Sequence, residues 1–164
     1  MSSLEVPPFD ILTGGVRPFE GFGQTLPDTA ERLHRLLLAA EDARVRVEMG
    51  FRRRLDDREA VPAEIDLIID KMWNQGWSPE KGNVNLFAND FGLVVVSTLH
   101  SLAGSRLVFR SEDDVSHLST WWADQQIEAF PFHHVLKCLC RRGEGSVGYF
   151  VRSISARVAG AGRQ

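Results

Sequence analysis

The sequence predicts a single α+β domain in which helices and strands are partly segregated along the chain. Two long amphipathic helical patterns come first, segments rich in β-branched and aromatic residues follow, and hairpin-length links join them. The composition, with 43% hydrophobic and 25% charged residues over 164 positions, is that of an ordinary globular domain. We therefore expect an N-terminal helical hairpin packed on a mainly antiparallel sheet of about five strands, with two further short helices.

The first helix is predicted to begin after Asp28, where a capping pattern precedes a long apolar stripe. Asp28 and Glu31 have the spacing of a capping box, in which each side chain bonds a backbone amide near the other. Apolar residues then recur every three or four positions as far as Leu55, which is the period of a helix with one buried face.

A second helix is predicted after Pro62, a residue well suited to the first helical turn. One stripe of this helix is apolar, and we expect it to face the core. It comprises Ile65, Ile68, Ile69, Met72, Trp73 and Trp77. Because the link between the two helices is short, we expect them to form an antiparallel hairpin.

Beyond Gly76 the apolar period changes toward two, which predicts strands. The predicted strands are Val84–Phe87, Leu93–Leu99, Arg106–Arg110, Gln126–Phe130 and Val147–Val158, with a hairpin turn at Ala103-Gly104. Two short helices complete the prediction. One begins at Ser111 and has an inward stripe of Val115, Leu118 and Trp122; the other begins at Pro131 and has an inward stripe of Phe132, Val135, Leu136 and Leu139.

No repeat, low-complexity block or flexible linker divides the chain. We expect residues 1–27, rich in proline and glycine, to form an irregular arm, residues 28–158 to form the domain, and residues 159–164 to be a frayed tail.

The charge balance argues against partners bound by a general basic field. The net charge is -3, with 19 basic and 22 acidic residues, so we expect no nucleic acid and no membrane as partner. Apolar runs such as Leu93–Val96 are far shorter than the ~20 residues of a membrane span. The first ten residues lack signal-peptide features, and Cys138 and Cys140 lie too close in sequence to bridge within a helix. A cytoplasmic location is expected.

Four metal-ligating residues crowd into one short segment: His133, His134, Cys138 and Cys140. On a helix only His134 and Cys138, four residues apart, share a face, and two ligands do not make a zinc site. We expect structural roles for all four, with no metal and no cofactor.

Nucleophilic catalysis has two candidate arrangements. His100 could act with Ser97 or Ser101 and with Asp90, and His134 could activate Cys138. Neither arrangement carries a recognised signature, such as a nucleophile elbow. A small hydrolase or transferase using His100 or the His134/Cys138 pair is nevertheless retained as an alternative.

Two further patterns have a structural interpretation beside a functional one. The spacing of Gly143, Gly145 and Gly148 resembles the glycine-rich loop of protein kinases, but only 16 residues follow, too few for the rest of a kinase site. We expect a helix-to-strand turn there. Asp66 and Asp70 could together serve acid–base chemistry, but a solvated helix surface explains the pair equally well.

The adjacent tryptophans at 121 and 122 lead to the functional hypothesis. On the short helix predicted there, both cannot face inward, and neighbouring acids would make the exposed one part of an acidic and aromatic surface. The predicted partner-binding residues are Glu112, Asp113, Asp114, Trp121, Trp122, Asp124 and Glu128. Such a surface suits a non-enzymatic protein-binding protein, most concretely a bacterial immunity or antitoxin protein that neutralises a cognate toxin by occluding it. A regulatory subunit that binds a partner through its helical hairpin, around Arg52–Arg58, is the second alternative.

Overall fold

The computed structural model describes residues 16–18, 29–103, 108–111, 120–123, 127–143 and 145–161. Five α-helices lie within those residues: α1 (Thr29–Phe51), α2 (Val61–Asn74), α3 (Val84–Ala103), α4 (Pro131–Cys140) and α5 (Val147–Ala161). Four short strands pair in the antiparallel order β1-β4-β3-β2. They are β1 (Val16–Pro18), β2 (Val108–Ser111), β3 (Thr120–Ala123) and β4 (Ile127–Ala129).

The central helix is α3, which packs against α1 and α4 and also contacts α2 and α5. Residues 91–96 are all buried, because neighbouring helices surround this part of α3. A helix that is apolar on every side is stable only in such an enclosed position. Two predicted strands, Val84–Phe87 and Leu93–Leu99, are therefore wrong, because both segments lie in α3. The turn predicted at Ala103-Gly104 is wrong at Ala103, which belongs to α3, and Gly104 lies outside the described residues.

The last predicted strand, Val147–Val158, is also wrong, since this segment forms most of α5. Its buried apolar residues recur at helical spacing and face α2 and α3. They are Val147, Phe150, Val151, Ile154 and Val158. The β-branched content favoured a strand, but the spacing of these residues already indicated a helix.

The predicted fold class, α+β with a helical hairpin on a sheet of about five strands, is wrong, because the core lies among helices. Among the described residues, every buried apolar side chain except Leu55 and Ala129 belongs to a helix. The first two helices do not form the packed hairpin that we predicted, because α1 packs chiefly on α3 while α2 packs chiefly on α5. The core is a helical assembly.

Three predicted helices are confirmed. α1 begins at Thr29, although it ends at Phe51 rather than Leu55, because Arg52 has a positive φ of 55°. α2 buries four residues of its predicted stripe and half-buries Trp73, whereas Trp77, which is also half-buried, lies beyond the end of the helix at Asn74. α4 begins at Pro131 and buries its whole predicted stripe.

The region between α3 and α4 agrees with the prediction only in part, since β2 shares residues 108–110 with the predicted strand Arg106–Arg110. Trp122 lies in β3 rather than on a short helix, and the remainder of that predicted helix, residues 112–119, lies outside the described residues. β4 falls within the predicted strand Gln126–Phe130. The division into an arm, a domain and a tail stays a prediction. Of the arm only residues 16–18 are described, and α5 continues to Ala161.

One close approach fixes the packing of α3 on α4. A Cβ atom added at Gly92 would lie 2.2 Å from Cδ1 of Phe132, a distance that real contacts do not reach. Phe132 is fully buried, so its ring has no room to move aside. Glycine at position 92 therefore permits the two helices to lie as close as they do.

Candidate functional site

The predicted partner-binding residues fall partly within the small sheet. Trp121 and Trp122 lie in β3, and Glu128 lies in the neighbouring strand β4. The register places Trp122 opposite Ala129 and Ala123 opposite Glu128. The structure thus brings three of the seven residues together on adjacent strands. The other four, Glu112, Asp113, Asp114 and Asp124, lie outside the described residues.

Both histidines of α4 are buried in the core. The ring of His134 stacks on Phe150 with centroids 4.2 Å apart, and its Nε2 donates to the carbonyl oxygen of Ser146 at 3.0 Å. His133 stacks on Phe130 with nearly parallel rings, and burial lowers its pKa to about 4. These contacts tie α4 to α5 and to the end of the sheet, which is a structural role.

The two cysteines are free thiols with different surroundings. Cys138 is buried, and its burial, together with the nearby charge of Asp66, raises the pKa of the thiol to about 12. A thiol with this pKa stays protonated at neutral pH and is a poor nucleophile. Cys140 is exposed on another side of α4. Among the described residues, no three histidine, cysteine or acidic side chains are grouped closely enough to hold a metal ion.

The candidate catalytic residues of α3 are not assembled into a site. Asp90 lies two helical turns before Ser97, about 10 Å along the axis, and its carboxylate binds Arg46 at 2.8 Å. The hydroxyl of Ser97 accepts a hydrogen bond of 2.7 Å from Arg58. His100 is exposed near the end of the helix. Asp90 and Ser97 are therefore each bound by an arginine from another segment of the chain.

Asp66 and Asp70 have different roles although they lie one turn apart on α2. Asp66 accepts hydrogen bonds from the backbone amides of Val147 and Gly148, at 2.7 and 2.8 Å, and so caps the first turn of α5. Burial raises the pKa of this carboxyl group despite the two amide donors. Asp70 is exposed and pairs with Arg142 at 3.3 Å.

The hydrogen bonds of Asp66 also determine the role of the glycine-rich segment, residues 143–148. A helix begins within it, at Val147, contrary to the predicted strand, and a bare helix N-terminus is a place where phosphate groups bind. Here the carboxylate of Asp66 already occupies the amides of that N-terminus. Gly143 has a positive φ of 84°, and a Cβ at Gly148 would lie 3.1 Å from Asp66, so both glycines serve the local geometry.

Two concave regions lie at the surface. A groove of about 410 Å³ runs beside the Asp66 cap, between α2 and the segment joining α4 to α5, and Arg142 and Asp70 lie at it. A smaller cavity of about 230 Å³ lies between α1 and α3, and Arg44 and Arg58 are among the residues that line it. The charged groups of both regions are paired within the chain, for example Arg44 with Glu41 and with Glu48.

In comparisons with known proteins, no family model, curated protein or solved structure matches the chain. None of the helices in the described part of the chain combines the length and the apolarity needed to cross a membrane.

Proposed function

We propose that this chain is a non-enzymatic protein-binding protein, most concretely of the immunity or antitoxin type, which neutralises a cognate toxin by covering its active cleft. The observation that carries the proposal is the pairing of β3 with β4. This pairing puts Trp121 and Trp122 of β3 on the strand next to Glu128 of β4, where Glu128 is opposite Ala123 in the register. Aromatic residues are enriched at protein interfaces, and acidic ones speed association with a cationic partner.

The side chains that the enzymatic alternative would use give a second line of support. The thiol of Cys138 is protonated at neutral pH, and His134 is held by Phe150 and Ser146. On α3, Asp90 is paired with Arg46. His134 and Asp90 thus have structural partners, and the buried thiol of Cys138 is a poor nucleophile, so a binding role fits the chain better than catalysis.

The charge distribution supports a protein partner rather than nucleic acid. In the arginine-rich segment that follows α1, Arg53 binds Glu64, Arg54 pairs with Asp56, and Arg58 pairs with Glu41 at 3.9 Å. A phosphate-binding stripe needs basic groups that are not neutralised by neighbouring acids. With free thiols at Cys138 and Cys140, we also propose a cytoplasmic location, where thiols stay reduced.

The test is co-purification of the tagged full-length chain from its native host, with identification of the bound protein and its activity. Trp121→Ala and Glu128→Lys are then introduced singly, and binding to the purified partner is measured by calorimetry. We expect each change to weaken binding by roughly tenfold or more, the effect of losing about 1.4 kcal/mol at an interface.

Glu59→Lys is the matched control, because it reverses a charge on an exposed residue outside the sheet and should leave binding unchanged. Far-UV circular dichroism of each variant separates loss of contact from loss of fold. Binding that survives both sheet variants would remove this surface from the proposal. Turnover of a small molecule that depends on Cys138 or His100 would replace it with the enzymatic alternative.

A further inference from the structure

The helix α1 has a second apolar stripe on the side away from the core. Its core side is formed by Leu36, Ala40, Ala43 and Val47, all buried. On the opposite side Leu38, Val45 and Met49 have exposed fractions of 57%, 44% and 77%. Aligned exposed apolar residues of this size mark an interaction surface more often than scattered ones do. The outward stripe of α1 is defined here as Leu38, Asp42, Val45 and Met49.

The spacing of the outward stripe is that of a helix–helix seam. Its members follow one another at intervals of four, three and four residues, which is the alternation of the a and d positions of a heptad. The stripe extends about 16 Å along the helix axis at 1.5 Å per residue. One polar residue, Asp42, occupies an inner position, where a single charged group selects partner and register.

The surroundings of the stripe are acidic. Between positions 38 and 49, α1 carries three acids, Glu41, Asp42 and Glu48, against two arginines, and Asp90 of α3 adds a fourth acid at its edge. Arg46 binds Asp90 at 2.8 Å, and its charge is thereby neutralised within the chain. Arg44 binds both Glu41 and Glu48, and Arg58 lies 3.9 Å from Glu41. The four acids therefore exceed these three arginines by one charge, and Asp42 is the acid that, among these described residues, forms no ion pair.

A second copy of the chain does not suit this surface. In a parallel pair of α1 helices, Asp42 would face Asp42 of the other copy in the seam. In an antiparallel pair centred on the stripe, Glu41 would flank Glu48 of the other copy. Both arrangements set like charges together where water is excluded, which costs free energy.

We propose that the outward stripe of α1 docks a basic amphipathic helix of a partner protein, with a lysine or arginine opposite Asp42 and further basic residues beside Glu41 and Glu48. The apolar stripe supplies the contact area, and the acids select the charge of the partner. The proposal rests on the proposed function only in treating the chain as protein-binding, because it concerns a different surface from β3 and β4.

The probe for the test is a synthetic peptide of about three heptads, with leucine at the a and d positions, one lysine in the seam, and lysine on both flanks. A control peptide has glutamate on both flanks. Each is titrated into the ¹⁵N-labelled full-length chain, and amide chemical shifts are followed. We expect saturable shifts along residues 38–49 with the basic peptide, and binding at least roughly tenfold weaker with the acidic one.

Two variants make the result specific. Met49→Lys places a positive charge in the outward stripe and should abolish binding of the basic peptide. Tyr149→Lys changes a residue of α5 that is 69% exposed and should have no effect. Equal binding of the two peptides, shifts confined to other helices, or no shifts at millimolar peptide would overturn the proposal. So would a wild-type dimer, seen by sedimentation, that Met49→Lys dissociates, because the occupant would then be a second copy.

The two proposals fail separately. If the basic peptide binds α1 while Trp121→Ala and Glu128→Lys leave partner binding intact, the sheet surface is wrong and the stripe stands. If those variants abolish partner binding and the peptide does not bind α1, the stripe is wrong and the sheet surface stands.

Discussion

The Asp66 carboxylate accepts a hydrogen bond of 2.8 Å from the backbone amide of Gly148, although the two residues lie 82 positions apart. The cap of α5 is therefore supplied by another helix rather than by the residues just before it. This contact joins α2 to α5 and closes the N-terminus of α5 to other anions. The Asp66 carboxylate thus adds a polar contact to the apolar packing of α2 on α5.

Replacement of Asp66 by alanine should lower the free energy of unfolding by about 1–3 kcal/mol, since two amides of α5 lose their acceptor in a half-buried place. Urea denaturation at neutral pH measures the change. Asp70→Ala is the control on the next turn of the same helix. It removes only an exposed ion pair with Arg142, so a loss below about 1 kcal/mol is expected. Equal losses for the two variants would contradict the capping role.

The stability of the chain should fall as the pH is lowered from about 6.5 to about 4, in part because of His133. Burial lowers the pKa of this ring to about 4, whereas the unfolded chain binds its proton near 6.5. Between these values the unfolded state binds more protons, so stability rises with pH. The stabilising contribution of His133 is complete above pH 6.5 and is lost by pH 4. At 1.36 kcal/mol per pKa unit, and with a reduction for the incomplete shielding of the ring from solvent, its size is on the order of 2 kcal/mol.

The measurement compares urea denaturation of the wild type and of His133→Phe across this pH range. Phenylalanine keeps a planar ring against Phe130 but does not titrate. Asp66 acts with the opposite sign, because its raised pKa favours the protonated folded state, so the wild-type curve alone mixes the two effects. Only the difference between wild type and variant reports His133, and a flat difference would show that this ring does not titrate as inferred.

Substitution of Gly92 by alanine should destabilise the chain by at least about 1–3 kcal/mol, because the added methyl group overlaps the buried ring of Phe132. Thermal and urea unfolding give the change. The double variant with Phe132→Leu should lose less than the sum of the two single variants, since the smaller side chain makes room. Gly50→Ala is the control. It meets open space in α1 and should be neutral or stabilising by up to about 1 kcal/mol.

The two cysteines should react with iodoacetamide at very different rates. Cys138 is buried with a pKa of about 12, so its alkylation at pH 8 should require unfolding, whereas the exposed Cys140 should be modified in the folded chain. Both cysteines lie in the tryptic peptide of residues 138–141, so tandem mass spectrometry of that peptide, with and without urea, assigns the modification to each cysteine and gives both rates. Rapid modification of Cys138 in the folded chain would revive the thiol-based enzymatic alternative.

The helices with one apolar face could be predicted from the sequence. α1 and α2 each bury a single stripe, and their three-and-four spacing has no equivalent in a strand. α4 buries eight of its ten residues, and Pro131 marked its start. The run Leu93–Val96 offered no such pattern, because it is buried on all sides, and a buried helix and a buried strand then have the same unbroken apolar sequence. In α5 the spacing was present, but the β-branched residues were given more weight.

The sequence by itself determined where amphipathic helices form, since the period of apolar residues is a local property of the chain. Only the tertiary structure decided that Leu93–Val96 is helical, that Asp66 caps α5, and that Leu38, Val45 and Met49 face away from the core. The physical reason is the same in each case. Enclosure, capping by a distant carboxylate and exposure depend on which elements lie beside a residue, and the order of residues along the chain does not record that arrangement.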